Sequence, residues 1–183
     1  MLREQLSFII KGKEILEMKR DRIAGEINKL LNRVKVRAEA EEMLVGAYEA
    51  LVKVLMRIGY RDLKAFAESI NYIDLSFKTD MVMGISLVDM NIVKDPNINI
   101  YSEPLVRDLA IRLFLAFKKI LETAVIENNI EVLANELMST SRKVNSLEKI
   151  VIPEYWELIR YIEEKIFEES LSEFVRTKHI LSR

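Results

Sequence analysis

The sequence contains no cysteine, which excludes disulfides, thiolate zinc sites and cysteine nucleophiles. That usage fits a cytoplasmic setting. Only five glycines and three prolines occur in 183 residues, so tight turns are few and long helices are favoured over a sheet-rich fold. Neither sign of charge dominates. With 28 Lys and Arg against 29 Asp and Glu, no general attraction to nucleic acid or to an acidic membrane is implied. Long hydrophobic runs are also missing. The most apolar stretch, Ala110 to Phe117, is interrupted by Arg112 and falls well short of the ~20 residues needed to cross a bilayer. Near the start, Arg3, Glu4, Lys11 and Lys13 surround the short apolar run from Phe8 to Ile10, a pattern unlike a signal peptide.

The motifs of common enzyme classes are absent as well. The single histidine, His179, stands beside Lys178 near the end of the sequence and reads as a surface residue rather than a catalytic or metal-binding one. A di-iron bundle site needs two Glu-x-x-His motifs, and none occurs. The Gly12-Lys13 pair lacks the upstream glycine and following Ser or Thr of a phosphate-binding loop. Glutamate pairs such as Glu41-Glu42, Glu163-Glu164 and Glu168-Glu169 read as solvated helix faces.

What the chain does have is periodicity. Every seventh residue from Leu2 gives Leu2, Ile9, Leu16, Ile23, Leu30, Arg37, Leu44, Leu51 and Ile58, apolar except at Arg37. A second series, Leu6, Lys13, Arg20, Ile27, Val34, Glu41, Tyr48 and Leu55, lies between them at alternating steps of three and four. This is the seam of a supercoiled helix, and with no proline in the way it predicts a rod on the order of 85 Å at about 1.5 Å per residue. From Met43 onward, apolar residues cover most of the helix circumference, more than a two-stranded seam can bury.

A break at Gly59 and a short helical continuation to about Ser69 follow. Between Asn71 and Val93 the pattern turns β-like. Ile73, Leu75 and Phe77 alternate with Asp74, Ser76 and Lys78, and Ile85, Leu87 and Val88 follow Gly84. This predicts a hairpin with its turn between Lys78 and Gly84, in a register that no Asn-Gly or Asp-Gly pair fixes. Residues 94–99 form a loop around Pro96. Ser102 is a natural N-cap, Glu103 adds negative charge to the first turn, and Pro104 suits the start of a helix.

A second long helix is expected from Pro104 to about Leu181. It is apolar nearly all round from Leu109 to Leu121. It then narrows to a seam of Leu137, Val144, Val151 and Leu158, with Leu147, Tyr155 and Ile162 between. Pro153 cannot donate to the Lys149 carbonyl, which predicts a kink without a stop. The fold class is therefore mainly all-α. It comprises an N-terminal coiled-coil helix (1–58), a central segment with a short β-hairpin (59–103, hairpin about 71–93) and a C-terminal coiled-coil helix (104–183). The two terminal helices pair antiparallel.

Specific motifs lie on this frame. The run from Ser141 through Arg142, Lys143, Val144, Asn145, Ser146, Leu147 and Glu148 to Pro153, followed by Ile159-Arg-Tyr161-Ile162, resembles the signature of the D subunit of archaeal and vacuolar-type rotary ATPases. Lys11-Gly12, Leu16 and Lys19-Arg20-Asp21 resemble that family's N-terminal pattern, and Met83-Gly84 its hairpin. The tail departs from the family: Phe174-Val-Arg-Thr-Lys178 stands where Phe-Arg-Leu-Lys is common.

The resemblance implies a non-catalytic central rotor shaft with no cofactor and no bound metal, peripheral on the cytoplasmic face of a membrane and not inserted in it. It implies that the paired terminal helices enter the hexamer of catalytic A and B subunits and that the F subunit binds lower down. The hairpin end would meet the membrane ring through a coupling subunit. Candidate contacts to the catalytic ring are Lys13, Arg20, Arg176 and Lys178, and candidate contacts to the F subunit are Leu51, Leu55, Leu113 and Phe117.

Two readings compete at individual positions. The polar seam residues Lys13, Arg20, Arg37 and Glu41 can set helix register, or Lys13 and Arg20 can face acidic loops of the ring. Gly12 is a tolerated helix glycine or marks a close approach. An exposed apolar patch is expected to remain where the F subunit docks. The alternatives outside the family are a coiled-coil scaffold or tether that dimerises with itself, and a helical nucleic-acid binder favoured by Lys19-Arg20 and Arg33 to Arg37.

Overall fold

The computed structural model describes residues 1–34, 36–98 and 103–181, and leaves aside the side chains of residues 36 and 179–181. The order is α1 (Leu2–Leu31), α2 (Val36–Ile58), α3 (Tyr60–Glu68), β1 (Asp74–Val82), β2 (Ile85–Lys94), α4 (Pro104–Ser146), a π turn (Leu147–Val151) and α5 (Ile152–Leu181). The chain folds as two compact units, one formed by Met1–Arg22 with Leu137–Arg183 and the other by Ile23–Glu136.

The first unit is an antiparallel helix pair. Arg3 of α1 donates to Glu163 of α5, and the Lys13 ammonium lies 3.4 Å from Glu148 in the π turn. Leu6, Val144 and Ile159 are buried here. Along α1 every member of both seven-residue series, from Leu2 to Leu30, is buried or half-buried, so the periodicity maps directly onto a contact strip.

On the opposite helix of this pair the expected seam shifts by one residue. Leu158 is 46% exposed and its neighbour Ile159 only 6%. The π turn is the reason. Ahead of it and at its two ends, Leu137, Thr140, Val144, Leu147 and Val151 are buried or half-buried at alternating steps of three and four; beyond it, Tyr155, Ile159 and Ile162 take over, one residue later than the series demands. An added residue would rotate a regular helix by about 100°. Here the Ile152 N–H reaches five residues back to the Leu147 carbonyl, and the wider turn takes up the extra residue. Pro153 follows at once, and the helix continues through it to Leu181.

The second unit corrects the long N-terminal helix. The helix predicted to run unbroken to Ile58 is interrupted at Asn32–Val34, where bonding shortens to Arg33 N–H to Leu30 O at 2.9 Å and Val34 N–H to Leu31 O at 3.2 Å. Asn32 and the β-branched Val34 are weak helix formers. Past the break one of the two series shifts. Among the described residues of α2 the buried positions are Ala40, Ala47 and Val54, each one residue before Glu41, Tyr48 and Leu55 of the second series, whereas Leu44, Leu51 and Ile58 of the first stay half-buried.

The core of this unit gathers Val54 of α2 with Val106 and Leu109 of α4, flanked by Leu51, Leu63, Phe66, Ile70 and Leu113. Gly59, at φ +87° and ψ 161°, occupies backbone space open only to glycine and separates α2 from α3. Pro104 is the first residue of α4, and the Glu103 carbonyl accepts from the Arg107 N–H at 3.1 Å. Ser102, the expected cap, lies outside the described residues.

The hairpin is present with its register settled. Val82 pairs with Ile85 across a two-residue turn, Thr79 pairs with Val88, and a bulge separates the Asp74–Lys94 and Leu75–Ile92 pairs. Met83 at φ +54° and Gly84 at φ +78° are both left-handed, as a type I′ turn requires. Methionine is an unusual occupant of the first position, which is why the turn carries no strong sequence signal.

A two-stranded hairpin is marginal by itself in water; this one is tied to α4 by a buried amide. The Asn129 amide NH2 donates to the Val88 carbonyl at 2.7 Å, and the Val88 N–H donates to the Asn129 side-chain oxygen at 2.9 Å. Asn129 is buried. Replacing it with leucine removes both bonds and strands two backbone groups, so Asn129→Leu should cost about 1–3 kcal/mol. The loss should appear in denaturant melts and as faster amide exchange across β2 than across α5.

Candidate functional site

The described residues hold no group of three or more His, Cys, Asp or Glu arranged for a metal. No described helix is long and apolar enough to cross a membrane. The distinctive chemistry is in two kinds of surface: ion pairs that bridge helices, and apolar faces left uncovered.

Lys13 sits at a seam position with only 20% of its side chain exposed, 3.3 Å from Glu17 on its own helix and 3.4 Å from Glu148 opposite. Its ammonium is held above the ordinary lysine value, first by the hydrogen bond to Glu17, against a desolvation penalty, with Glu148 adding to the rise. In the second unit, Arg37 reaches Glu41 at 3.0 Å and Glu127 of α4 at 2.8 Å. Both cations thus tie one helix to another, Lys13 from a seam position and Arg37 from an exposed one. Arg20 is half-buried and pairs with Asp21 at 2.9 Å.

The other signature residues divide by exposure. Leu16, Lys19, Leu147 and Ile162 are half-buried and Val144 is buried. Asn145 and Pro153 are exposed, as is Arg142, whose guanidinium contacts the Met138 sulfur at 3.2 Å. Tyr161 is exposed, with the Lys165 ammonium 6.0 Å from its ring centre. Arg176 and Lys178 are exposed on α5, and the His179 side chain lies outside the described residues. At Gly12 the opposite helix makes no close approach: a Cβ built there would meet nothing of this chain within 4 Å.

Uncovered apolar side chains occur on α1 (Phe8, Ile15, Met18) and α5 (Trp156, Phe167, Phe174) as well as on α2 and α4, where they flank a groove. Val45, Tyr48, Val52 and Met56, spaced by three and four residues and so on one side of α2, are exposed, Met56 to 83%. On α4, Ile111, Leu115 and Phe117 are exposed as well. A groove of about 520 Å³ runs between α2, α3 and α4, with Tyr48, Phe66, Ile70, Ile98, Leu113 and Phe117 among its lining. Of the expected partner contacts, Phe117 is open, Leu55 is half-buried, and Leu51 and Leu113 pack against the Val54 core. The more exposed Val45, Val52 and Met56 fall outside the expected set, which drew Leu51 and Leu55 from the seam itself, the face that packs inward. Asn129 falls outside it too, although an asparagine inside a long apolar helix is the available signal.

Two long helical arms with a two-stranded hairpin between them in the sequence define a largely helical protein with ion-paired seams and uncovered apolar faces. The family model for the ATP synthase D subunit matches residues 1–182. The A-type ATP synthase D subunit of Methanobrevibacter smithii is 33% identical over 99% of this chain and 82% of its own length. The V-type ATP synthase D subunit of Thermotoga neapolitana is 31% identical over 98% and 91%. The A-type ATP synthase D subunit of Sulfolobus acidocaldarius is 27% identical over 98% and 89%. The chain belongs to the ATP synthase D subunit family.

If Lys13 secures register, Lys13→Met should lower the unfolding midpoint more at low salt than at high salt, and Glu148→Gln should add little on top of it. Because the folded lysine value is raised, the contribution is complete below the ordinary lysine value and is lost as pH rises through the folded one. Alkaline melts of the two variants and the parent should therefore converge.

Proposed function

We propose that this chain is the central shaft of an A/V-type rotary ATP synthase, passing torque between the catalytic A/B hexamer and the membrane ion-translocating ring without catalysing a reaction itself. The observation that carries this reading is the antiparallel pairing of α1 with the π turn and α5, held by Arg3–Glu163 and Lys13–Glu148. Side chains interleaved along a seam oppose sliding and unwinding of the two helices together, which is what transmitting twist requires. Membership of the D subunit family supports the assignment.

In this reading the unit built from the two chain ends enters the cavity of the A and B subunits. Exposed Arg176 and Lys178 are available to that ring, and Lys13 and Arg20 contribute to it only through what their internal ion pairs leave free. The F subunit covers the apolar surface of α2 and α4 around Val52, Met56 and Phe117, and the hairpin region meets the coupling subunit above the membrane ring. The complex is peripheral, on the cytoplasmic face.

The reading is tested by affinity purification of the tagged chain from cells expressing the complex, followed by sizing with and without the F subunit. The A and B subunits should come along, and a one-to-one complex with the F subunit should form. Val52→Ser combined with Met56→Ser should weaken that complex at least tenfold while leaving the melting temperature nearly unchanged. A symmetric self-dimer that retains neither the A nor the B subunits would overturn the proposal in favour of a scaffold unrelated to rotary motors.

A further inference from the structure

We propose that Leu147–Val151 together with Pro153 is a torsionally soft joint in the helix pair of the first unit, latched by Lys13. The use of such a joint to store twist rests on the shaft reading; the joint itself does not.

Three observations place it. First, the turn carries one residue more than the seam needs, as the shift from Leu158 to Ile159 shows. The neighbouring turns keep their seam positions because this turn alone absorbs the surplus. Second, the hydrogen-bond ladder that stiffens a helix is altered here twice over. Ile152 reaches back to Leu147 instead of to Glu148, and Pro153 has no N–H to offer the Lys149 carbonyl. Third, Glu148, Lys149 and Ile150 are exposed, so water can take up the carbonyls that the chain leaves unpaired.

A regular helix resists twist because each residue is tied to the fourth before it. Where that tie lengthens by one residue and then lacks a donor, a given torque turns the backbone furthest. π turns concentrate at functional positions in helices, and this one lies opposite the cation that bridges to it. The Lys13 ammonium, 3.4 Å from Glu148 and anchored by Glu17 on its own helix, holds the joint in the observed phase. It can part and re-form without disturbing the buried residues to either side, Val144 and Ile159.

The test removes the surplus residue. Deleting Lys149 together with Pro153→Ala restores an unbroken alternation of three and four through Val144, Leu147, Ile152, Tyr155 and Ile159, and gives the helix back its donor. In the full-length parent, amides from Leu147 to Ile152 should exchange at least about tenfold faster than those around Val144 and Ile159. In the deletion variant the excess should vanish while helix content by circular dichroism is retained.

Because the chain has no cysteine, spin labels can be placed on introduced cysteines at exposed Lys143 and Glu157. Their distance distribution should be broad in the parent and narrow in the deletion variant. Should the deletion disrupt pairing, Pro153→Ala alone keeps the extra residue and is expected to slow exchange several-fold. Uniform exchange across the parent helix, equal label distributions, or a Pro153→Ala variant indistinguishable from the parent would each overturn the joint. None of these outcomes bears on whether the A and B subunits co-purify, so failure here is separable from failure of the shaft assignment.

Discussion

Two helices lying side by side share one narrow strip of contact, and keeping that strip in phase is the constraint from which the other features follow. A side chain one position out of phase turns by about 100° and faces water. In α1 the phase holds from Leu2 to Leu30 without irregularity. Elsewhere the chain manages phase by two local devices, a break at Asn32–Val34 and a wider turn at Leu147–Val151. The break moves one of the two series by a residue, so that Ala40, Ala47 and Val54 turn inward while Leu44, Leu51 and Ile58 keep their places. The π turn preserves a pattern that an odd residue count would have lost.

Charge supports this geometry without dominating it. Lys13 and Arg37 each hold a carboxylate on their own helix and one across from it. A cation pinned on its own helix loses less freedom when it also pairs across, so the cross-helix contact costs less to order than two free side chains would. Such pairs choose among registers, while apolar burial supplies most of the attraction. The distribution of apolar residues makes the complementary point. Val45, Val52 and Met56 lie outward on a helix whose inner face is already filled by alanine and valine, so this surface is surplus to the fold and suited to a partner.

Much of this can be read from the residues. The α1 seam is legible because spacing alone decides it. The antiparallel pairing of the chain ends and the hairpin are legible from the change of period, and the family from the Ser141–Pro153 run. The one-residue shift of the second series on α2 is not, because nothing in a seven-residue count says where a helix stops and restarts; Asn32 and Val34 are only mildly unfavourable to helix. Leu158 and Ile159 are equally apolar, so only the backbone can choose between them. Pro153 signals a local irregularity at the right place, but its form, a π turn on the N-terminal side, depends on which hydrogen bond the fold gives up. The tie between α4 and the hairpin stays hidden because the Asn129 amide pairs with main chain, and a main-chain partner leaves no mark in the residue types.

That tie has an effect beyond anchoring. A strand at the rim of a sheet offers its outward amides and carbonyls to any passing chain, the usual route to edge-to-edge aggregation. The Asn129 amide fills both outward groups of Val88, imitating the next strand at the middle of β2. One side chain thereby closes the more central part of that rim to foreign strands, giving a largely helical protein with a solitary hairpin a defence against polymerising through it.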